Sequence, residues 1–238
     1  MSPLCLIRPS GGELLFLFFS KTGQSIGRNR QPERPFKGLL CLISFAPFLT
    51  SRLEQALRFA TVGHQGQVRR SSGVPYVEHV VAVAWILDRA GFDEDVVIAG
   101  LLHDLVEDTS ATLADVEQRF GRVVAELVAH CSEVKTDEQG RKRAWIDRKS
   151  DHLASLREAP AGARAIVLAD KLHNLISIDI DLREGRLVWN EFHAGRDQVL
   201  WYYHAIIATC AGDSADSRLH QVAARCRGVL AEIETLKR

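Results

Sequence analysis

The stretch AGLLHDLVEDT, residues 99–109, decides the reading of this chain. It sets His103, Asp104, Glu107 and Asp108 directly behind VVIAGLL (96–102), a run built for burial. Acids and histidines are seldom buried without partners, because an unpaired polar or charged group loses its hydration there. On one continuous helix, His103 and Glu107 are four residues apart, and so are Asp104 and Asp108. The two pairs then form adjacent stripes on one side. They fall at the C-terminal end of that helix, where the macrodipole is already negative and carboxylates fit poorly. A bound divalent cation would reverse that argument.

A metal needs more ligands, and two further polar residues stand in apolar surroundings. His79 lies within residues 76–90, apolar nearly all round, and Asp170 lies between Ala169 and Lys171 in another apolar helix. Bringing His79, His103, Asp104 and Asp170 together satisfies all four at once. Two imidazoles and two carboxylates suit Mn²⁺, Fe²⁺ or Zn²⁺. Taken singly, each residue has a plainer reading. A buried histidine is more often a hydrogen-bonded core residue, and Glu107-Asp108 alone reads as a solvated helix end. The joint pattern outweighs these.

The 238 residues are 46% hydrophobic and 25% charged, with zero formal net charge, an ordinary globular composition. Without a basic excess there is no polyanion-binding surface, so no nucleic-acid partner is expected. Five cysteines are scattered without a C-x-x-C pair. That argues against a disulfide framework and a thiolate zinc site, and points to a reducing cytoplasm. The apolar runs LLFLFF (14–19) and GLLCLISFAPFL (38–49) are shorter than the ~18–20 residues that span a bilayer, so no membrane association is expected. The second run stands too far from Met1 for an ordinary signal peptide. Residues 1–50 read as a poorly structured extension, and 51–238 as one all-α domain.

Within that domain, Ser51 with Glu54 predicts a capping box. Asp93, Glu94 and Asp95 open a helix with the acids the macrodipole favours. Thr112 caps LADVEQRF, and Gly121 ends or kinks it. Residues 136–144 read as a loop and 145–159 as a helix. Pro160 stands near the start of the helix that carries Asp170. Helices over roughly 189–210 and 214–237 complete the chain, with no run of alternating strands.

Four stretches, in order, resemble the HD superfamily of metal-dependent phosphohydrolases, and more closely the hydrolase domain of RelA/SpoT-type proteins. They are GHQGQVRRSSGVPYVEH (63–79), AGLLHDLVEDT (99–109), FGRVVAELV (120–128) and VLADKLHNL (167–175). The intervals of 24 residues from His79 to His103 and 66 from Asp104 to Asp170 also match that pattern. The resemblance covers about 55–180 and implies an HD-domain helical bundle with a metal site between helices. It is to the small stand-alone hydrolases of this group.

The resemblance further implies that His79, His103, Asp104 and Asp170 hold Mn²⁺, and that Glu107 and Asp108 orient water and move its proton. It implies nucleotide contacts from Arg69, Arg70, Asn174 and Ser177, with Arg148 and Lys149 adding charge for phosphates. The implied substrate is a small guanosine nucleotide, (p)ppGpp, cut at its 3′-pyrophosphate. Val80, Arg70 and Ile176 depart from the usual proline, lysine and arginine, and SIDIDL (177–182) is atypical. An HD phosphohydrolase of another nucleotide, such as NADPH, and a non-catalytic nucleotide sensor are the competing readings. Oligomeric state is left open.

Overall fold

The computed structural model describes residues 49–192 and 194–236. The interior is set by two helices that are buried or half-buried on nearly every side. In α3 (Glu94–Leu102) every residue from Val96 to Leu102 is buried. The helix α8 (Ala161–Arg183), the longest described, buries residues along its whole length, from Ala163 to Leu182. α3 has no polar face past its first turn and must be surrounded. Around these two pack α1 (Ser51–Gly63), α2 (Val77–Arg89), α6 (Arg122–Cys131), α9 (Gly195–Ala211) and α10 (Ser217–Thr235), with α5 (Leu113–Phe120) against α6 and α7 (Trp145–Glu158) against α9. The four-residue α4 (Leu105–Asp108) follows α3. Among the described residues the only β-pairing is two isolated bridges, Val68 with Pro75 and Thr136 with Lys142. The all-α expectation holds.

α8 lies against α2, α3, α6, α9 and α10, and α2 lies against both α3 and α8. The approach of α2 to α3 depends on Gly100. A Cβ there would fall 2.5 Å from Cδ1 of Leu87, which is fully buried. Gly121, at φ +90°, makes the turn from α5 into α6 in a conformation that L side chains rarely adopt.

Local signals hold with corrections. Thr112 and Asp115 form a reciprocal capping box. α1 is capped one residue earlier than expected. Thr50, in extended backbone, accepts from Leu53 N at 3.0 Å, and Ser51 is the first helical residue. Both residues carry a hydroxyl, and only the one outside the helix can reach back to the third amide. Glu54 instead pairs with Arg58. Acids opening α3 are held from α1: Arg52 reaches Asp95 at 2.5 Å, Glu94 at 3.2 Å, and the Phe120 carbonyl at 2.5 Å. The helix expected from residue 189 begins at Gly195, after a 3₁₀ turn over Val188–Glu191. The expected extension over residues 1–50 lies outside the described residues, apart from Leu49 and Thr50.

The largest correction falls in AGLLHDLVEDT. The expected continuous helix breaks at His103-Asp104, and α4 starts afresh at Leu105. His103 Nδ1 donates to Gly100 O at 2.8 Å, the carbonyl whose helical partner would be the Asp104 amide. Glu107 and Asp108 therefore lie in the first turn of α4, and the dipole misfit inferred from a continuous helix does not apply to them. No helix among the described residues is long and apolar enough to cross a membrane.

Gly100→Ala is expected to lower unfolding free energy by about 1–2 kcal/mol, since overpacking against Leu87 outweighs the helix propensity gained. Urea unfolding measures it. Unchanged stability would mean that Leu87 yields without cost.

Candidate metal centre and its cavity

His79 comes from the first turn of α2, His103 from the end of α3, Asp104 from the break, and Asp170 from the middle of α8. The structure brings all four together. His79, His103 and Asp170 each place one ligand atom within 4.8 Å of the other two. Asp104 joins through the imidazoles: its Oδ2 is 3.1 Å from His103 Nε2 and 3.5 Å from His79 Nε2. Asp170 Oδ1 is 3.4 Å from that same His79 nitrogen.

Three observations show that these residues fit a divalent metal. His103 Nδ1 is committed to Gly100 O, which leaves Nε2 with its lone pair facing the cluster. That Nε2 is buried and makes no well-aligned hydrogen bond, although Asp104 Oδ2 stands 3.1 Å away. The field at the centre is strongly negative. Burial alone would lower the pKa of His103, yet Asp104 and then Asp170 overcome it and lift the value to about 9. Burial would likewise raise both carboxyls; His103 holds Asp104, and Lys171 holds Asp170, well below the usual carboxylate range. A site that attracts a proton this strongly also attracts a dication.

Each carboxylate has a further support. Tyr76 donates its hydroxyl to Asp104 Oδ2 at 2.6 Å. Lys171 donates to Asp170 Oδ2 at 2.6 Å, and the Asn174 amide donates to Asp170 Oδ1. Arg69 then donates to Asn174 Oδ1 at 2.6 Å, so the arginine loop is tied to α8 one residue away from the cluster.

A cavity of about 480 Å³ opens beside this centre, a volume in the range of nucleotide-sized pockets. Arg69, Arg70, Asn174 and Ser177 all line it, as does Asp108. Arg70 is exposed, whereas Ser177 donates to the His173 carbonyl at 3.0 Å. Lys149 and Lys171 add cationic charge, and Trp145, Tyr202 and Tyr203 add aromatic faces. The Lys149 ammonium is 4.5 Å from the Tyr202 ring centre. Burial and then the neighbouring Lys171 hold Lys149 below its usual value. Arg148 does not line the cavity; it pairs with Glu133 at 3.3 Å.

Glu107 and Asp108 share a partner that sequence reasoning missed. Lys135 lies 2.7 Å from Glu107 Oε1 and 3.2 Å from Asp108 Oδ1. The Glu133 amide donates to Glu107 Oε2 at 3.2 Å, and Gln67 donates to the Asp108 carbonyl at 2.8 Å. The atypical SIDIDL also acquires a purpose. Buried Asp181 accepts from the Ser71 hydroxyl and pairs with Arg186 at 3.3 Å, while Arg186 donates to Ser71 O at 3.0 Å. This clamp fixes the loop that carries Arg69 and Arg70 against the end of α8.

A bundle with this centre defines a class. The HD domain family matches residues 56–199, and the chain belongs to it. The resemblance drawn from the motifs also holds among individual proteins. The bifunctional (p)ppGpp synthase/hydrolase SpoT of Escherichia coli (strain K12) is 42% identical over 130 residues, 52% of this chain and 18% of that one. The guanosine-3′,5′-bis(diphosphate) 3′-pyrophosphohydrolase MESH1 of Drosophila melanogaster is 33% identical over 178 residues, 73% of this chain and 93% of that one. The match thus spans less than a fifth of the bacterial relative but nearly all of the insect one. A solved structure of a metazoan ortholog of SpoT that hydrolyzes ppGpp superposes with a TM-score of 0.65 at 28% identity, covering 80% of this chain and 99% of that one.

Behind the cavity wall, against Tyr202, stands a pH-sensitive group. Burial, then Lys171, lowers the pKa of His152 to about 4, and its Nδ1 contacts the Tyr202 hydroxyl at 2.9 Å. Free histidine titrates near 6.5. Between those values the unfolded chain binds more protons, so stability falls as pH drops from about 6.5 toward 4, by up to ~3 kcal/mol. Urea midpoints across that range should show the decline, and His152→Gln should flatten it. An equal slope in the variant would remove His152 as its source.

Proposed function

We propose that the chain is a Mn²⁺-dependent hydrolase of the 3′-pyrophosphate of ppGpp and pppGpp, releasing GDP or GTP and pyrophosphate. The observation that carries this reading is the convergence of His79, His103, Asp104 and Asp170 next to a cationic, aromatic cavity of about 480 Å³, whose lining includes their partners Tyr76, Lys171 and Asn174. The names and solved structure of the relatives support the choice of substrate.

In this reading the four residues hold Mn²⁺, which supplies Lewis-acid polarisation of a phosphoryl oxygen and a more acidic water. Glu107 and Asp108 orient the attacking water and accept its proton. Lys135 pairs with both and fixes their position. The water oxygen bonds to the phosphorus attached to the ribose 3′-oxygen as that P–O bond breaks, the 3′-oxygen takes up a proton, and pyrophosphate leaves intact. Arg69 and Arg70 fork phosphate or stack on the base, which guanidinium groups do well. Lys149 and Lys171 neutralise phosphate charge, and Asn174 and Ser177 contact the guanosine. Residues 51–238 form the catalytic unit. Free Cys131, Cys210 and Cys226 support a reducing, cytoplasmic setting.

The test is pyrophosphate release from ppGpp by purified protein, with Mn²⁺ and with chelator. Release should require Mn²⁺. Asp104→Ala should lose both metal and turnover, and retained Mn²⁺-dependent turnover would remove Asp104 from the ligand set. Glu107→Ala should keep its metal and slow turnover at least ~100-fold. Preference for nucleotides lacking a 3′-phosphate would overturn the substrate, and tight ppGpp binding without turnover would indicate a sensor.

A further inference from the structure

His173 has no place in the mechanism above, yet it is 8% exposed and touches the metal centre from behind. It stands on α8 three residues after Asp170, turned toward α2. Its Nδ1 is 2.8 Å from Nδ1 of His79, with ring centres 4.9 Å apart. Its Nε2 is 3.2 Å from Oε1 of Glu78.

Two ring nitrogens at hydrogen-bond distance share one hydrogen, so one donates and the other accepts. The nitrogen of His79 that faces Asp104 and Asp170 is Nε2. A ligating nitrogen presents its lone pair, so the proton of neutral His79 is on Nδ1. His79 therefore donates to His173 Nδ1. His173 then carries its own hydrogen on Nε2, where the Glu78 carboxylate accepts it. One assignment satisfies every nitrogen in the chain. The opposite one places a hydrogen on the His79 nitrogen that must bind the ion. His103 achieves the same fixation with a backbone carbonyl; for His79 the structure uses two side chains.

We propose that His173 is a positioning residue for the metal, and that the Glu78–His173–His79 relay selects the His79 tautomer and ring orientation that can ligate it. The inference rests on the metal-site reading above and not on the identity of the nucleotide.

Two substitutions separate hydrogen bonding from packing. His173→Phe keeps a ring of similar size and removes the acceptor. His173→Asn loses volume but offers Oδ1 close to where Nδ1 stands. Mn²⁺ affinity is measured on each purified full-length variant, with the visible absorption of the Co²⁺-loaded protein as a second readout. If the relay operates, His173→Phe weakens Mn²⁺ binding about 10–100-fold and alters the Co²⁺ spectrum, while His173→Asn stays within about 3-fold of the parent. Parental affinity in His173→Phe overturns the proposal, as does equal or greater weakening in His173→Asn. Should His173→Phe fail to fold, Glu78→Ala serves, because that side chain is 52% exposed. It should weaken metal binding several-fold, and an unchanged affinity and spectrum would overturn the relay. A parent chain that binds neither ion overturns the relay together with the metal reading. A parent that binds metal but leaves ppGpp intact overturns only the nucleotide reading.

Discussion

Two carboxylates, Asp104 and Asp170, face the same buried pair of imidazoles inside a helical bundle, and the surroundings answer to the charge they place there. Isolated charges would not remain ionised at that depth. Asp104 is kept anionic by two histidines and a tyrosine hydroxyl, and Asp170 by Lys171, Asn174 and His79. None of these partners is close in sequence to both acids. The arrangement holds only if α2, α3 and α8 pack as they do. The apolar faces of those helices provide that packing, and the polar cluster fixes their relative register.

The same logic runs outward to the cavity. Asn174 bridges Asp170 to Arg69, and Asp181 clamps the backbone of the next loop residue but one through Ser71 and Arg186. A cationic loop is thus anchored at two points along α8, which carries an acid of the cluster, an amide one turn on and a clamp about two turns beyond that. Lys135 plays the corresponding part for Glu107 and Asp108, from a segment with no helical structure of its own.

Much of this was legible in the sequence because each polar residue stood beside an apolar run that had to be buried. VVIAGLL announced α3, and the placement of His79 and Asp170 in apolar helices announced a shared partner. Other features left no local trace. The break at His103-Asp104 depends on a side chain capturing the Gly100 carbonyl, and hydrophobic periodicity does not register such a bond. At Thr50-Ser51 two hydroxyls stood side by side, and composition could not choose between them. Lys135, Glu78 and His173 take their roles from contacts between residues remote in the chain, which spacing rules do not reach. SIDIDL drew notice because Ile176 departs from the usual arginine, and the partners of Asp181, Ser71 and Arg186, could not be read from spacing.

Gly100 has no side chain to offer, yet it controls the centre twice. Its missing Cβ lets Leu87 and α2 come close, and its carbonyl holds the His103 ring. The first sets the span between His79 and His103; the second sets the angle at which one of them looks across it. The aperture of the site is therefore gauged from behind, by a residue that touches neither ion nor substrate. An enlargement at that position would press on Leu87 and so on the span, while the carbonyl that sets the angle would remain.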